Sequence, residues 1–242
     1  MIDLERQDDV FVLTMTEGEN RWNTTFTRAF DAAIDEVAAT EGPVALVTAS
    51  AHQKFFSNGL DLDWISSRGD HEGGDRGAFG SEFMALAGRL ITLPLPTVAA
   101  VNGHAFGAGL MIALCHDVRI MREDRGYLCA NELEIGLTIP APEVALFRHK
   151  IPASAFHETV ILAKRWTAPA AVAAGFVEAA VPDQLVREAS IERAASLAHL
   201  AKNRAGLGWQ KEQLYGTSAA LNQPDGAAHM LRNSADYPHG PR

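Results

Sequence analysis

Two glutamates, Glu132 and Glu134, stand two residues apart in LCANELEIGL (128–137), where Leu128, Leu133, Ile135 and Leu137 otherwise spell a buried stretch. A carboxylate withdrawn from water is costly unless it is paired, hydrogen-bonded or kept for chemistry. Held near an activated C–H bond, such a group is a general base. Two other segments offer what a base alone lacks, donors for a developing negative charge. In FFSNGLDL (55–62) a strand is expected to end, Gly59 permits a turn, and Asp61 caps the helix that follows. That turn would present the Leu60 N–H to an anionic oxygen. In VNGHAFGAGLMIAL (101–114), Gly103, Gly107 and Gly109 lie between a strand and an apolar helix. The Ala108 N–H would then sit at a helix N-terminus, where the dipole favours negative charge. Taken singly, the first segment reads more readily as an ordinary turn and N-cap, and the second has two rival readings, tight helix–strand packing without function and a dinucleotide loop.

Rival chemistries fare worse. A dinucleotide loop is disfavoured because the glycines fall about a hundred residues into the chain rather than after a first strand. A Tyr-x-x-x-Lys pair is also missing: Tyr127 is followed four residues on by Asn131, and Tyr215 by Ala219. There is no G-x-S-x-G, and none of the nine histidines falls in an H-E-x-x-H pattern. Cys115 and Cys129 lack metal-ligand spacing; Cys115-His116-Asp117 is suggestive, but free cysteines are most often small core residues, so no metal is expected.

Elements that could position these residues follow from hydrophobic pattern. VFVLTMT (10–16), PVALVTAS (43–50), TVAAVNG (97–103), VRIMRE (118–123) and GYLCA (126–130) read as strands. TTFTRAFDAAIDEVAAT (24–40) reads as an amphipathic helix with Thr24 or Thr25 as its cap, and SEFMALAGRLITL (81–93) as a helix capped by Ser81. SSRGDHEGGDRGAFG (66–80) reads as a glycine-rich loop. AVAAGFVEAAVP (171–182) reads as helix, turn, strand, and the text from about 185 as helices broken at GLGW and NQPDG. This alternation is α/β. With 242 residues, 47% of them hydrophobic, one sizeable core is expected. The formal net charge of −9 argues against nucleic-acid partners. Two cysteines imply no disulfide framework and a reducing compartment. A charged N-terminus without a long apolar run and a C-terminus without a peroxisomal tripeptide make a cytoplasmic, membrane-free protein the expectation.

In this order and spacing, NRWN (20–23), FFSNGLDL, AAVNGHAFGAGL, CHDVRIM and ANELEIGLTIP resemble the enoyl-CoA hydratase/isomerase, or crotonase, family over residues from about 10 to 190. The resemblance implies a spiral of ββα units over residues 1–190 and a C-terminal helical region, 191–242, that packs a homotrimer or a dimer of trimers. Apolar Leu197, Leu200, Leu207, Trp209 and Leu214 suit such packing. It implies an acyl-CoA thioester substrate, with CoA part of the substrate and no other cofactor, and a role in fatty-acid β-oxidation. The backbone amides of Leu60 and Ala108 would form an oxyanion hole, and Glu132 would carry the proton. Hydratases of the family hold a first glutamate where this chain has Met111 and a second at the position of Glu132. A single carboxylate suits a Δ3,Δ2-enoyl-CoA isomerase, whose text NELEIGL and DRGYLCANELEI also resemble. Arg21 and Trp22 match the segment lining the nucleotide and pantetheine. Asn58, Gly59, Asp61, Leu62 and Gly107 would shape the pocket, and Asn131 would line its acyl part. Glu134 would pair with a base or reach solvent. Glu143, where relatives are apolar or small, could be a second acid. It keeps open a hydratase or acyl-CoA hydrolase; a non-catalytic acyl-CoA-binding protein is the alternative of another class.

Overall fold

The computed structural model describes residues 1–67, 74–216 and 227–237. Its strands are β1 (Ile2–Gln7), β2 (Val10–Met15), β3 (Ala45–Ser50), β4 (Phe55–Ser57), β5 (Thr97–Val101), β6 (His104–Phe106), β7 (Val118–Arg122), β8 (Leu128–Cys129) and β9 (Ala179–Val181). They form two sheets. The larger runs β1-β2-β3-β5-β7-β9, parallel except for the β1–β2 hairpin; the smaller is parallel and runs β4-β6-β8. Consecutive strands alternate between the sheets: β3 then β4, β5 then β6, β7 then β8. This is the ββα spiral that the motifs imply.

Helices close each turn. They are α1 (Thr24–Ala39), α2 (Leu62–Ser66), α3 (Arg76–Ile91), α4 (Ala108–Cys115), α5 (Ala141–Lys150), α6 (Ala153–Val160) and α7 (Ala168–Ala174). The C-terminal part holds α8 (Val186–Ala198), α9 (Arg204–Tyr215) and α10 (Ala227–Arg232). Residues alternate across the large sheet, as period 2 requires. Phe11, Leu13 and Met15 of β2 face the main core with α1, α3 and α4, while Val10 and Val12 face Val186, Ala194 and Ala198 of α8. The division at 190/191 therefore falls inside α8, a helix that belongs to the sheet's outer layer. All eight residues of α4 are buried, which accounts for its apolar composition on every side.

Several sequence expectations are corrected. Asn23, not Thr24 or Thr25, caps α1, its side chain accepting from Phe26 N. Helix α3 starts at Arg76 with Asp75 as cap, so the glycine-rich loop ends earlier than expected and Ser81 lies inside a helix. Past Val101 the chain forms strand β6 rather than only a turn. GLGW (206–209) continues α9, and NQPDG (222–226) lies outside the described residues. Strand β1, mostly exposed at the sheet edge, carried no apolar run by which to read it.

Candidate active site

The small sheet positions the site. Its three parallel strands end side by side, and the turn after each supplies one component: Gly59–Leu60 after β4, Gly107–Ala108 after β6, Asn131–Glu132 after β8. Carboxyl ends of parallel strands are where open α/β sheets bind ligands. The turns are locked together. Gly107 N donates to Cys129 O at 2.9 Å. A Cβ on Gly59 would lie 2.8 Å from Phe106 O and 3.7 Å from Ala108 N, so the first two turns touch through backbone. Both Gly59 (φ 81°) and Gly107 (φ 50°) hold backbone conformations that side chains disfavour.

Leu60 and Ala108 each present an N–H with no intramolecular acceptor among the described residues. The reason is local. Leu60 bridges Trp22, whose backbone bonds Gly59 O and Asp61 N on either side. Ala108 is the first residue of α4, where helical N–H groups lack partners. Around these amides opens a small cleft of about 60 Å³. Asn58, Leu60, Leu62 and Ala108 line it together with Asn131, Glu132, Ile135 and Leu137.

Glu132 ends the β8 segment and begins a tight turn. Its carbonyl accepts from Ile135 N at 3.1 Å and Leu137 N at 2.8 Å, closing a 3-10 turn over Leu133–Ile135. The residue is 9% exposed, and Oε1 lies 2.9 Å from where a Gly107 Cβ would be. Oε2 has no partner. Burial raises its proton affinity above that of an ordinary glutamate. In the same turn Glu134 points away, and its Oε2 meets Arg165 Nη2 at 2.9 Å near the surface. The helical rather than extended course of 132–135 separates two glutamates that spacing alone leaves equivalent.

Other expected residues fall elsewhere. Trp22 is fully buried, packed on Phe26, Phe30 and Phe83, so its side chain is core and does not line the cavity. It braces the Leu60 turn instead: Nε1 donates to Ser57 Oγ at 3.0 Å, and that hydroxyl donates to Asn20 O at 2.7 Å. Asn20 Nδ2 in turn reaches Phe56 O at 2.9 Å. Arg21 is near the surface, paired with Glu19 and Asp63, and is not in the cavity wall. Asp61 caps α2 through Trp64 N and is likewise outside the wall. Sequence reading missed Phe106, Ile135 and Leu137 as lining residues and Ser57 as a brace; the first three stand inside motifs it singled out. Met111 is buried in α4. Cys115 and Cys129 are free core thiols, and burial pushes Cys115 up to about 12. No group of three or more metal-ligating side chains occurs among the described residues.

Residues 5–224 match the model of the enoyl-CoA hydratase/isomerase family. The chain belongs to that family. It is 36% identical over 187 residues to the peroxisomal enoyl-CoA delta isomerase 2 of Arabidopsis thaliana, covering 76% of this chain and 78% of that one. It is 37% identical over 204 residues to the enoyl-CoA delta isomerase 3 of the same plant, with 82% and 85% covered. Among solved structures, the apo enoyl-CoA isomerase of Mycobacterium tuberculosis superposes with a TM-score of 0.81 at 26% identity, over 97% of this chain and 96% of that one. The crotonase spiral is thus the fold of this chain. Within it, two unengaged amides beside an unpaired buried carboxylate are an arrangement suited to forming and quenching an enolate.

Proposed function

We propose that this crotonase-family chain isomerises 3-enoyl-CoA to 2-enoyl-CoA, with Glu132 as the proton carrier and the Leu60 and Ala108 amides as the oxyanion hole. The observation that carries the reading is the setting of Glu132. Among the described residues it is the acidic side chain in the cavity wall, beside apolar Leu60, Leu62, Ile135 and Leu137; the family resemblance puts Met111, buried in α4, where hydratases hold their other glutamate. Thioester oxygen accepts from the two amides. Glu132 takes a proton from C2; the C2–H electrons pass into the thioester as a dienolate. The same carboxyl returns the proton to C4 as the double bond moves to C2–C3. A raised proton affinity suits a group that must both take and give back. Hydration would need a second carboxylate facing the cavity, and Glu143 is outside its wall.

The substrate's CoA is the only cofactor this reaction requires. Arg21, beside the Leu60 turn, is kept as a contact for the CoA moiety. The exposed Leu200, Trp209 and Leu214 support assembly as a trimer or dimer of trimers. No helix among the described residues is long and apolar enough to cross a membrane, and two buried free thiols fit the reducing cytoplasm. The test is turnover of 3-enoyl-CoA and of 2-enoyl-CoA by wild type and Glu132→Gln. Isomerisation should exceed hydration in the wild type and fall by about 10²–10⁴-fold in the variant, with acyl-CoA affinity retained. Isomerisation at the wild-type rate by Glu132→Gln, or hydration as the faster reaction, would refute the assignment.

A further inference from the structure

We propose that Asn58, oriented by Glu19, is a substrate-selecting residue: its side-chain oxygen accepts from the first amide N–H of the CoA arm, so the cleft selects thioesters whose thiol arm carries that N–H. The proposal rests on the acyl-CoA reading of the cleft. Asn58 lines the cleft two residues before Leu60. The backbone here is fixed. Asn58 N donates to Glu19 O at 3.0 Å, and Gly59 O accepts from Trp22 N at 2.9 Å. The side chain is fixed as well: Nδ2 donates to Glu19 Oε2 at 2.8 Å. Glu19 is anchored in turn, because the same oxygen accepts from Arg21 Nε at 3.0 Å and meets Arg21 Nη2 at 2.8 Å.

Charge therefore sets which end of the Asn58 amide is free. Burial works against ionisation of Glu19, but the bonds from Asn58 and Arg21 prevail and hold its carboxyl below the usual glutamate range. At neutral pH it is a carboxylate, which accepts and cannot donate. Only the NH₂ end of Asn58 can face it, since the reversed amide would set oxygen against oxygen. Oδ1 is left over. It has no donor among the described residues, and it is not sealed from solvent. Asn131, the other amide in the wall, engages no partner among the described residues that would orient its side chain. The wall thus offers the Leu60 and Ala108 N–H groups as donors and, at Asn58, an oriented side-chain acceptor. An acceptor in the cleft needs a donor from the ligand. Neither an acyl chain nor a thioester group has one. In a CoA thioester the donor nearest the reacting carbonyl is the amide N–H two methylenes beyond the sulfur. With the carbonyl oxygen on Leu60 N–H, Asn58 is within reach of that amide, because two residues of chain span at most about 7 Å. A site built to bond a substrate N–H rejects the analogue that lacks it, whose oxygen would leave Oδ1 unpaired.

Calorimetry with ligands that cannot isomerise tests this apart from turnover. The probes are butanoyl-CoA and its isostere in which an ester oxygen replaces that amide N–H. Wild type should bind the isostere about tenfold more weakly than butanoyl-CoA. Asn58→Ala should bind the two within about twofold of each other. Glu19→Ala, which frees the amide to turn, should likewise lose most of the discrimination. Glu19→Gln, whose side-chain oxygen still accepts from Asn58 Nδ2, should regain it. The ratio of the two affinities separates selection from structure, since a loosened turn weakens both ligands alike; circular dichroism checks the fold of each variant. Equal affinities in wild type, or a ratio undiminished in either alanine variant, would overturn the proposal. A wild type that discriminates between the probes but moves no double bond in 3-enoyl-CoA would refute the isomerase reading and leave the selection at Asn58 standing.

Discussion

Replacing Gly59 by alanine tests the oxyanion hole through backbone alone, touching no side chain of the site. The new methyl carbon would lie 2.8 Å from Phe106 O, where an ordinary contact begins near 3.4 Å. Phe106 O is main-chain, so it cannot swing aside. The β4 and β6 turns must part by about 0.6 Å, and the two amides ride on those turns. Misplacements of about 1 Å can cost about 10²-fold, and loss of one oxyanion donor costs about 10²–10³-fold. Turnover of 3-enoyl-CoA should therefore fall about 10²-fold, or about 2.7 kcal/mol of transition-state stabilisation. Acyl-CoA binding, measured by calorimetry, should weaken far less, because the hole acts mainly on the enolate. Alanine at φ 81° also costs about 1–2 kcal/mol in backbone strain, which lowers the melting temperature without bearing on chemistry. Gly42→Ala separates the two effects. Gly42 has nearly the same φ, 84°, and open space around it, so that variant should show the strain and keep its turnover. A folded Gly59→Ala enzyme within about threefold of wild type would refute the two-amide hole. So would an equal loss in Gly42→Ala.

Further outcomes follow from the same contacts. Glu134→Gln breaks a surface ion pair with Arg165 and should leave stability within about 1 kcal/mol and isomerisation nearly unchanged; kinetics and a thermal melt check both. Burial holds the His116 imidazole down at about 4, against about 6.5 in an unfolded chain. Between those values only the unfolded chain takes up the proton, so stability is complete above about pH 6.5 and declines by up to about 3 kcal/mol as pH falls toward 4. Unfolding curves should show that decline in wild type and a shallower one in His116→Gln. Lys211 of α9 donates to Asp117 Oδ2 at 2.7 Å and to Leu95 O at 3.0 Å, so Lys211→Ala leaves a carboxylate without its cation and should cost about 3 kcal/mol in denaturant unfolding. Sedimentation at micromolar concentration should find a trimer or larger; a stable monomer would contradict the reading of the exposed C-terminal apolar residues.

Where a segment's own pattern decides its structure, the sequence was legible. The continuous apolar runs at 10–15 and 45–50 are strands buried on both faces, and α4 is apolar all round because the core surrounds it. Caps were harder, because neighbouring residues offer the same oxygen. Asn23 and Thr24 could each end α1, and the extended φ of −135° at Asn23 decides for asparagine. At α3, glycines at 77 and 80 disguised a first turn that Asp75 nucleates by accepting from Gly77 N at 2.8 Å. In α9 two glycines suggested a break, yet packing keeps the helix through them.

The site divides along the same line. Gly59, Leu60, Gly107, Ala108 and Glu132 are each named by a short motif, and the strand ends beside which they stand bring them together. NRWN was legible as a mark but not as a device. Trp22 reads as an exposed ligand contact until Ser57, 35 residues further along the chain, and Gly59 are seen holding it beneath the Leu60 turn. Glu143 is the sharper case. Nothing in PAPEVAL distinguishes a solvated helix-start glutamate, which the dipole would favour, from a buried one. The difference is made by what α5 packs against, α4, α6 and α10, none of which PAPEVAL can announce. A glutamate that is ordinary by sequence becomes costly by its surroundings, 5% exposed and with Oε1 unpartnered.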